Sequence, residues 1–162
     1  MRISHLFCVL GLLSLSSGSL AAQDHHAATD TRGAAVMGFD QKATAHHFLL
    51  FADGGAIDVA VRDSSDTSNR DAIRSHLTHI AAMFAEGNFD APMLVHDSAK
   101  VPGTKVMAAR KAAIRYQYVE TSNGGRVNIV TTDPEAVSAV HAFLKFQISD
   151  HRTGDSTTIR TR

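Results

Sequence analysis

His46-His-Phe-Leu-Leu-Phe-Ala-Asp-Gly-Gly-Ala-Ile-Asp-Val-Ala-Val-Arg62 is the stretch whose reading decides the fold. Two apolar-rich runs, 46–51 and 56–62, flank Ala52-Asp-Gly-Gly55. Asp-Gly between such runs is a strong hairpin signal, because both central residues of a mirror-image two-residue turn need positive φ. Pairing around Asp53-Gly54 puts His46, Phe48, Leu50, Ile57, Val59 and Val61 on one face. His47, Leu49, Phe51, Asp58 and Ala60 take the other. The first face is the more β-branched and is expected to meet helices. A slip of one residue would exchange His46 and His47.

The same device recurs downstream. Ile114-Arg-Tyr-Gln-Tyr-Val-Glu120 and Arg126-Val-Asn-Ile-Val-Thr-Thr132 flank Thr121-Ser-Asn-Gly-Gly125, with Asn123-Gly124 expected at the turn. Each hairpin runs on to an aspartate, Asp63 or Asp133, and then to a helical pattern. The first helix is expected over 69–86, with Ile73, Leu77, Ile80 and Phe84 on one face at i, i+4, i+7 and i+11. The second is expected over 134–150, capped by Asp133, opened by Pro134, and burying Val137, Val140, His141, Leu144 and Ile148. A shorter helix is expected over 104–112. Two tandem ββα units predict an α+β fold, a four-stranded antiparallel sheet with both helices on one face. Tyr116 and Tyr118 alternate with polar neighbours and are expected to pack inward.

The chain opens with Arg2, an apolar run over 6–15, and small residues at Ser19, Ala21 and Ala22. A bilayer crossing takes about 20 apolar residues, so this reads as an export signal over 1–22, cleaved after Ala21 or Ala22. Residues 23–36 read as a mobile leader, 37–151 as one domain, and 152–162 as a polar tail expected to fray. The expected location is periplasmic or secreted, with no stable membrane insertion after cleavage. The single cysteine, Cys8, would leave with the signal, so no disulfide is available to the mature chain. The chain has 16 basic and 16 acidic side chains, and removing Arg2 leaves 15 against 16. That balance argues against nucleic acid and against anionic lipid as partners.

Of ten histidines, nine follow the signal: His25, His26, His46, His47, His76, His79, His96, His141 and His151. Neutral imidazole is the commonest metal ligand, so a transition-metal ion is the first expectation. His76, His79 and Met83 form one helical stripe, and a thioether biases such a site toward copper, with zinc or nickel as alternatives. His46 or His141 would complete the set across the sheet–helix junction, while the bland reading makes His141 a satisfied core residue. His141 and His151 stand about 15 Å apart along one helix and cannot share an ion. His96 could be a ligand oriented by the adjacent Asp97, though a loop histidine beside an aspartate is the plainer reading, and His151 reads as a cation near a helix C-terminus. Cleavage after Ala22 would put His25 third from a free amine, a square-planar donor set for Cu(II) or Ni(II).

Two other classes remain open. Non-covalent haem or another small ligand could lie between helices and sheet, with one of these histidines as axial ligand. Alternatively, the histidines are structural and the chain is a partner-binding or homodimerising module. No nucleophile elbow, phosphate loop, dinucleotide fingerprint or His-Glu-x-x-His motif is present, so the sequence offers no catalytic residues.

Met37-Gly-Phe-Asp-Gln41, His46-His-Phe48, His76-Leu-Thr-His-Ile80, Met83-Phe-Ala-Glu-Gly87 and Phe146-Gln-Ile-Ser-Asp-His-Arg-Thr-Gly-Asp155 together resemble a family of small exported bacterial proteins. The resemblance covers nearly the whole mature domain and implies export, without implying an active site. Some relatives carry a transcarbamoylase label. Such enzymes have about twice this length and a Ser-Thr-Arg-Thr carbamoyl-phosphate loop that this sequence lacks.

Overall fold

The computed structural model describes residues 31–162. The expected export signal, most of the expected leader and His25-His26 lie outside the described residues. The elements are α1 (31–37), β1 (Thr44–Phe51), β2 (Gly54–Val61), α2 (Thr67–Ala85), α3 (Asp90–His96), α4 (Thr104–Ala109), a 3₁₀ turn (Lys111–Ala113), β3 (Ile114–Thr121), β4 (Gly124–Thr131) and α5 (Pro134–Asp150). The strands form one antiparallel sheet in the order β1-β2-β4-β3, an α+β architecture as the tandem pattern implies. No helix among the described residues is long and apolar enough to cross a membrane.

The hairpins close differently from the expectation. Phe51 pairs with Gly54 and Thr121 with Gly124, so the loops are Ala52-Asp53 and Ser122-Asn123. Neither Asp53 nor Asn123 takes a positive φ, so these are not mirror-image turns. His46 therefore faces Val59, two residues from the expected partner Val61. A shift of two preserves the pleat, and every residue keeps its face. The glycines answer to the neighbouring strand instead. A Cβ on Gly54 would lie 2.3 Å from the Ile129 carbonyl oxygen, and one on Gly124 would lie 2.1 Å from that of Val59. Glycine lets β2 and β4 approach at both ends of their shared ladder. Matching backbone bonds, Thr131 N–H to Asp53 at 2.9 Å and Val61 N–H to Asn123 at 2.8 Å, mark the two units as repeats.

Both long helices follow from their caps and stripes. Asp66 accepts from the Asn69 amide and starts α2 two residues ahead of the expected position. Asp133 accepts from the amides of Glu135 and Ala136, with Pro134 in the first turn. Phe48, Leu50, Ile57, Val59, Val127 and Ile129 share a core with Ile73, Leu77 and Phe84 of α2 and Val140, Phe143 and Leu144 of α5. Each such side chain contributes about 1.5–3 kcal/mol through burial.

Three segments depart from the sequence reading. Residues 31–37 are helical where a mobile leader was expected, and Arg32 Nε donates to the Val95 carbonyl at 2.9 Å. α3 forms where a loop was expected, since proline at its third position falls in the first turn, where no amide partner is lost. The C-terminal tail packs along the outer edge of β1. Asp155 accepts from the Phe48 amide at 2.9 Å, Arg160 N–H donates to Leu50 at 2.9 Å, and the Arg162 guanidinium lies 4.6 Å over the Phe51 ring. An edge strand presents unpaired amides and carbonyls, and this tail satisfies the Phe48 amide and the Leu50 carbonyl.

Candidate functional site

The inward face of β1 carries His46 into a row of rings at one end of the core. Phe39 stacks on His46 at 5.7 Å with planes 25° apart, and His76 of α2 meets the edge of Phe39 at 5.7 Å. On its other side His46 stacks on His151 at 5.8 Å, the planes 6° apart. His151, which caps α5, in turn meets His96 edge-on at 5.0 Å, and Phe146 closes the row against His96 at 4.9 Å. Four imidazoles from four elements are thus gathered across the first hairpin, α2, α3 and α5.

Beneath this row lies a cavity of about 70 Å³, walled by His46, His76, His96, His151 and Gln147 among apolar side chains of β1, β2, α2, α3 and α5. Met37 and Val36 of α1 contribute to its rim. One water needs about 10–15 Å³ by this measure, so roughly half a dozen heavy atoms can be accommodated. That is well below the ~300–1,000 Å³ of sites for drug-sized ligands, and a porphyrin is too large for it.

Three of the four imidazoles in the wall are held neutral. Burial, reinforced by His151, His76 and His47, lowers the pKa of His46 to about 3. Burial and then His79 lower His76 to about 4. Burial and then His96 lower His151 to about 4, against the opposing pull of Asp150. His151 is therefore not the helix-terminal cation that its position suggested, because desolvation, with His96, outweighs the pull of Asp150.

His96 differs from the other three. It is 4% exposed, its Nδ1 lies 2.5 Å from Asp150 Oδ2, and its Nε2 lies 2.9 Å from Gln147 Oε1. Its carboxylate partner is Asp150, 54 residues away, rather than the adjacent Asp97. Asp97 instead ends α3 with a φ of 49°. Two atoms of the cavity wall, His46 Nε2 and Gln147 Nε2, are buried without a hydrogen-bond partner. Buried polar atoms are paired in the great majority of cases, so each such orphan calls for an explanation.

The five side chains expected to bind metal fall into separate places. His46 and His76 line the cavity, His79 is exposed on α2, and Met83 packs partly buried against the core. His141 lies at the other end of the hairpin, its Nε2 2.8 Å from the Phe51 carbonyl and 3.0 Å from that of Gly54. It is hydrogen-bonded there and only part-buried, outside the buried core. Among the described residues no group of three or more His, Cys, Asp or Glu is arranged to hold a metal ion. Imidazole lone pairs lie in the ring plane, so the parallel His46–His151 pair does not converge on one point.

The sequence reading missed Phe39, His96, Gln147 and His151 as parts of a site. A signal existed for two of them. Val140, Leu144, Gln147 and His151 continue the i, i+4, i+7, i+11 spacing that marked α2, so extending the α5 stripe one turn reaches the cavity. Comparison with protein-family models, with curated proteins and with solved structures finds no match.

Proposed function

We propose that this chain is an exported small-ligand-binding protein whose histidine-walled cavity holds a compact, uncharged and mostly apolar molecule with one polar group. The observation that carries this reading is the cavity itself, about 70 Å³, in which apolar side chains surround His46, His76 and His151, rings that burial holds neutral. The ligand's one polar group would meet the imidazole and carboxamide side chains that stand among these apolar ones. Neutral imidazoles favour an uncharged guest over an anion. The export reading rests on the N-terminal apolar run and its small-residue cleavage sites.

The test is a fragment titration followed by amide NMR, using cyclopentanone, pyrrole and cyclopentane on the mature protein. Binding is expected to shift the amides of Val59, Val95 and Gln147. Ala91 lines the same cavity, so Ala91→Leu fills it and is expected to abolish those shifts while preserving the fold. Shifts that persist in Ala91→Leu, or appear only at remote surfaces, would reject the cavity as the site.

A copper-binding reading keeps one supporting observation. His76, held neutral, stands one helical turn from the exposed His79, an arrangement able to chelate Cu(II). It predicts that His79→Ala lowers Cu(II) affinity at least tenfold in a calorimetric titration. Equal affinity in wild type and variant would dismiss the helix pair.

A further inference from the structure

The fold repeats a ββα unit, and α3 and α4 belong to neither copy. α3 turns Ala91, Pro92 and Val95 toward the histidine-walled cavity. At 3.6 residues per turn, Asp90 and Met93 fall on its opposite side. There they line a second cleft, of about 670 Å³, whose other wall is α4 with Lys105, Val106 and Ala108. The rest of its lining comes from the turn at Gly87-Asn88 and from residues 99–104. Its volume lies within the ~300–1,000 Å³ of small-molecule sites, which the first cavity does not reach.

Close packing fixes the walls. A Cβ on Gly87 would lie 3.3 Å from Ala108 Cα, and one on Gly103 would lie 2.1 Å from the Ala139 carbonyl oxygen of α5. Lys111 Nζ donates to the Glu86 carbonyl at 3.0 Å and ties the end of α2 to the segment after α4. The lining itself is amphipathic. Met93, Val106 and Ala108 are only partly buried, above Phe89 and Val101 of the core. Exposed Lys100 and Lys105 flank the Val101-Pro-Gly-Thr104 turn. Among the described residues neither lysine is in an ion pair. The basic residues that follow differ, since Arg110 pairs with Asp133 and Glu135, and Lys111 with Glu86. One carboxylate, Asp90, also lines the cleft, which leaves its lining with one positive charge in excess.

We propose that this cleft binds a monoanionic amphiphile, a medium-chain carboxylate whose chain lies against Met93 and Val106 and whose head stands by Lys100 and Lys105. Burial of the chain supplies most of the affinity. The lysines select the head, because exposed ion pairs discriminate between charges while adding little binding. Asp90 on the α3 wall disfavours a second carboxylate at the far end of the chain. The site is separate from the histidine-walled cavity, where half a dozen heavy atoms fill the space and such a chain does not fit.

The experiment titrates the mature protein with octanoate, octan-1-ol and octylammonium at neutral pH and low salt, followed by amide NMR. The three probes share a chain and differ in the charge of the head. Octanoate is expected to shift the amides of Met93, Gly103 and Val106 and to leave Val59, in the wall of the other cavity, unmoved. Its affinity is expected to exceed that of octan-1-ol by about threefold or more, the scale of exposed ion pairs, with octylammonium weakest. That margin is expected to close in ~0.5 M salt, which screens exposed charges. Octanedioate, with its second carboxylate, is expected to bind more weakly than octanoate. The double variant Lys100→Glu, Lys105→Glu changes only exposed side chains. It is expected to keep octan-1-ol binding and to reverse the order of octanoate and octylammonium. Ala91→Leu, which fills the other cavity, is expected to change none of these affinities. Equal affinity for the three heads, or an unchanged order in the double variant, would overturn the anionic ligand class. Absence of shifts at the cleft, with any binding confined to Val59 and its surroundings or to remote surfaces, would overturn the site.

Discussion

His46 shows how a single side chain here is poorly matched to its surroundings. Its ring is sandwiched between Phe39 and His151, yet its Nε2 finds no partner. His46→Phe keeps the stack and removes the orphan. It is therefore expected to raise stability by about 1 kcal/mol at neutral pH, which chemical denaturation would measure. A loss of stability instead would show that Nε2 is satisfied in solution. A gain of that size would count for the proposed ligand, since His46 lines the cavity and would not be serving the core. Only part of this site was legible beforehand. The inward face of His46 followed from the hairpin pleat, and His151 was reachable by extending the α5 stripe. His96 was not, because it depends on a short helix with no periodic signal and on a carboxylate that tertiary packing alone supplies. The choice of His76, His79 and Met83 rested on helical spacing, which fixes neighbours on one helix and says nothing about what faces them.

At the scale of elements, strand, helix and face assignments were legible because each is written in local periodicity and caps. Register and turn type were not, since they depend on how β4 approaches β2. The glycine pairs illustrate the difference. A turn that demands positive φ accepts asparagine in place of glycine, whereas a close backbone approach accepts no side chain at all. Gly124 has no positive φ, and a Cβ there would lie 2.1 Å from the Val59 carbonyl oxygen. Gly124→Asn is therefore expected to cost about 2–3 kcal/mol in urea unfolding, the range for forcing atoms into a packed site. A cost below a few tenths would restore the mirror-turn reading. The tail shows the same limit of local reasoning. Its polar composition suggested fraying, yet its use is to close the β1 edge, a need visible only once the strand order is known.

Across the whole molecule, the buried imidazoles tie folding to pH. His46 is lowered to about 3, and His76 and His151 to about 4, by burial first and by neighbouring groups second. In the unfolded chain each takes a proton near pH 6.5. Between about pH 6.5 and 4 the unfolded state therefore binds more protons than the folded state. Stability is full above this window and is lost as pH falls through it. Three such groups give at most about 4 kcal/mol per pH unit, because each contributes about 1.4. Mutual repulsion between the rings makes their contributions overlap, so the measured slope should be smaller. Over the roughly 2.5 pH units from 6.5 to 4 that is at most about 10 kcal/mol, enough to unfold a domain in the lower part of the ordinary range of about 5–15 kcal/mol. Urea unfolding is expected to show little change between pH 7.5 and 6.5 and a clear loss of stability from pH 6.5 to 5.5, continuing toward pH 4. Carboxylates titrate mainly below that point, which separates their contribution from that of the histidines. The double variant His46→Phe, His151→Phe should flatten the slope between pH 6.5 and 5.5 by more than half. A wild-type profile that is already flat across this interval would mean that the rings are protonated in the folded state. The wall of the cavity would then be cationic and suited to an anion, which would overturn the neutral-ligand reading.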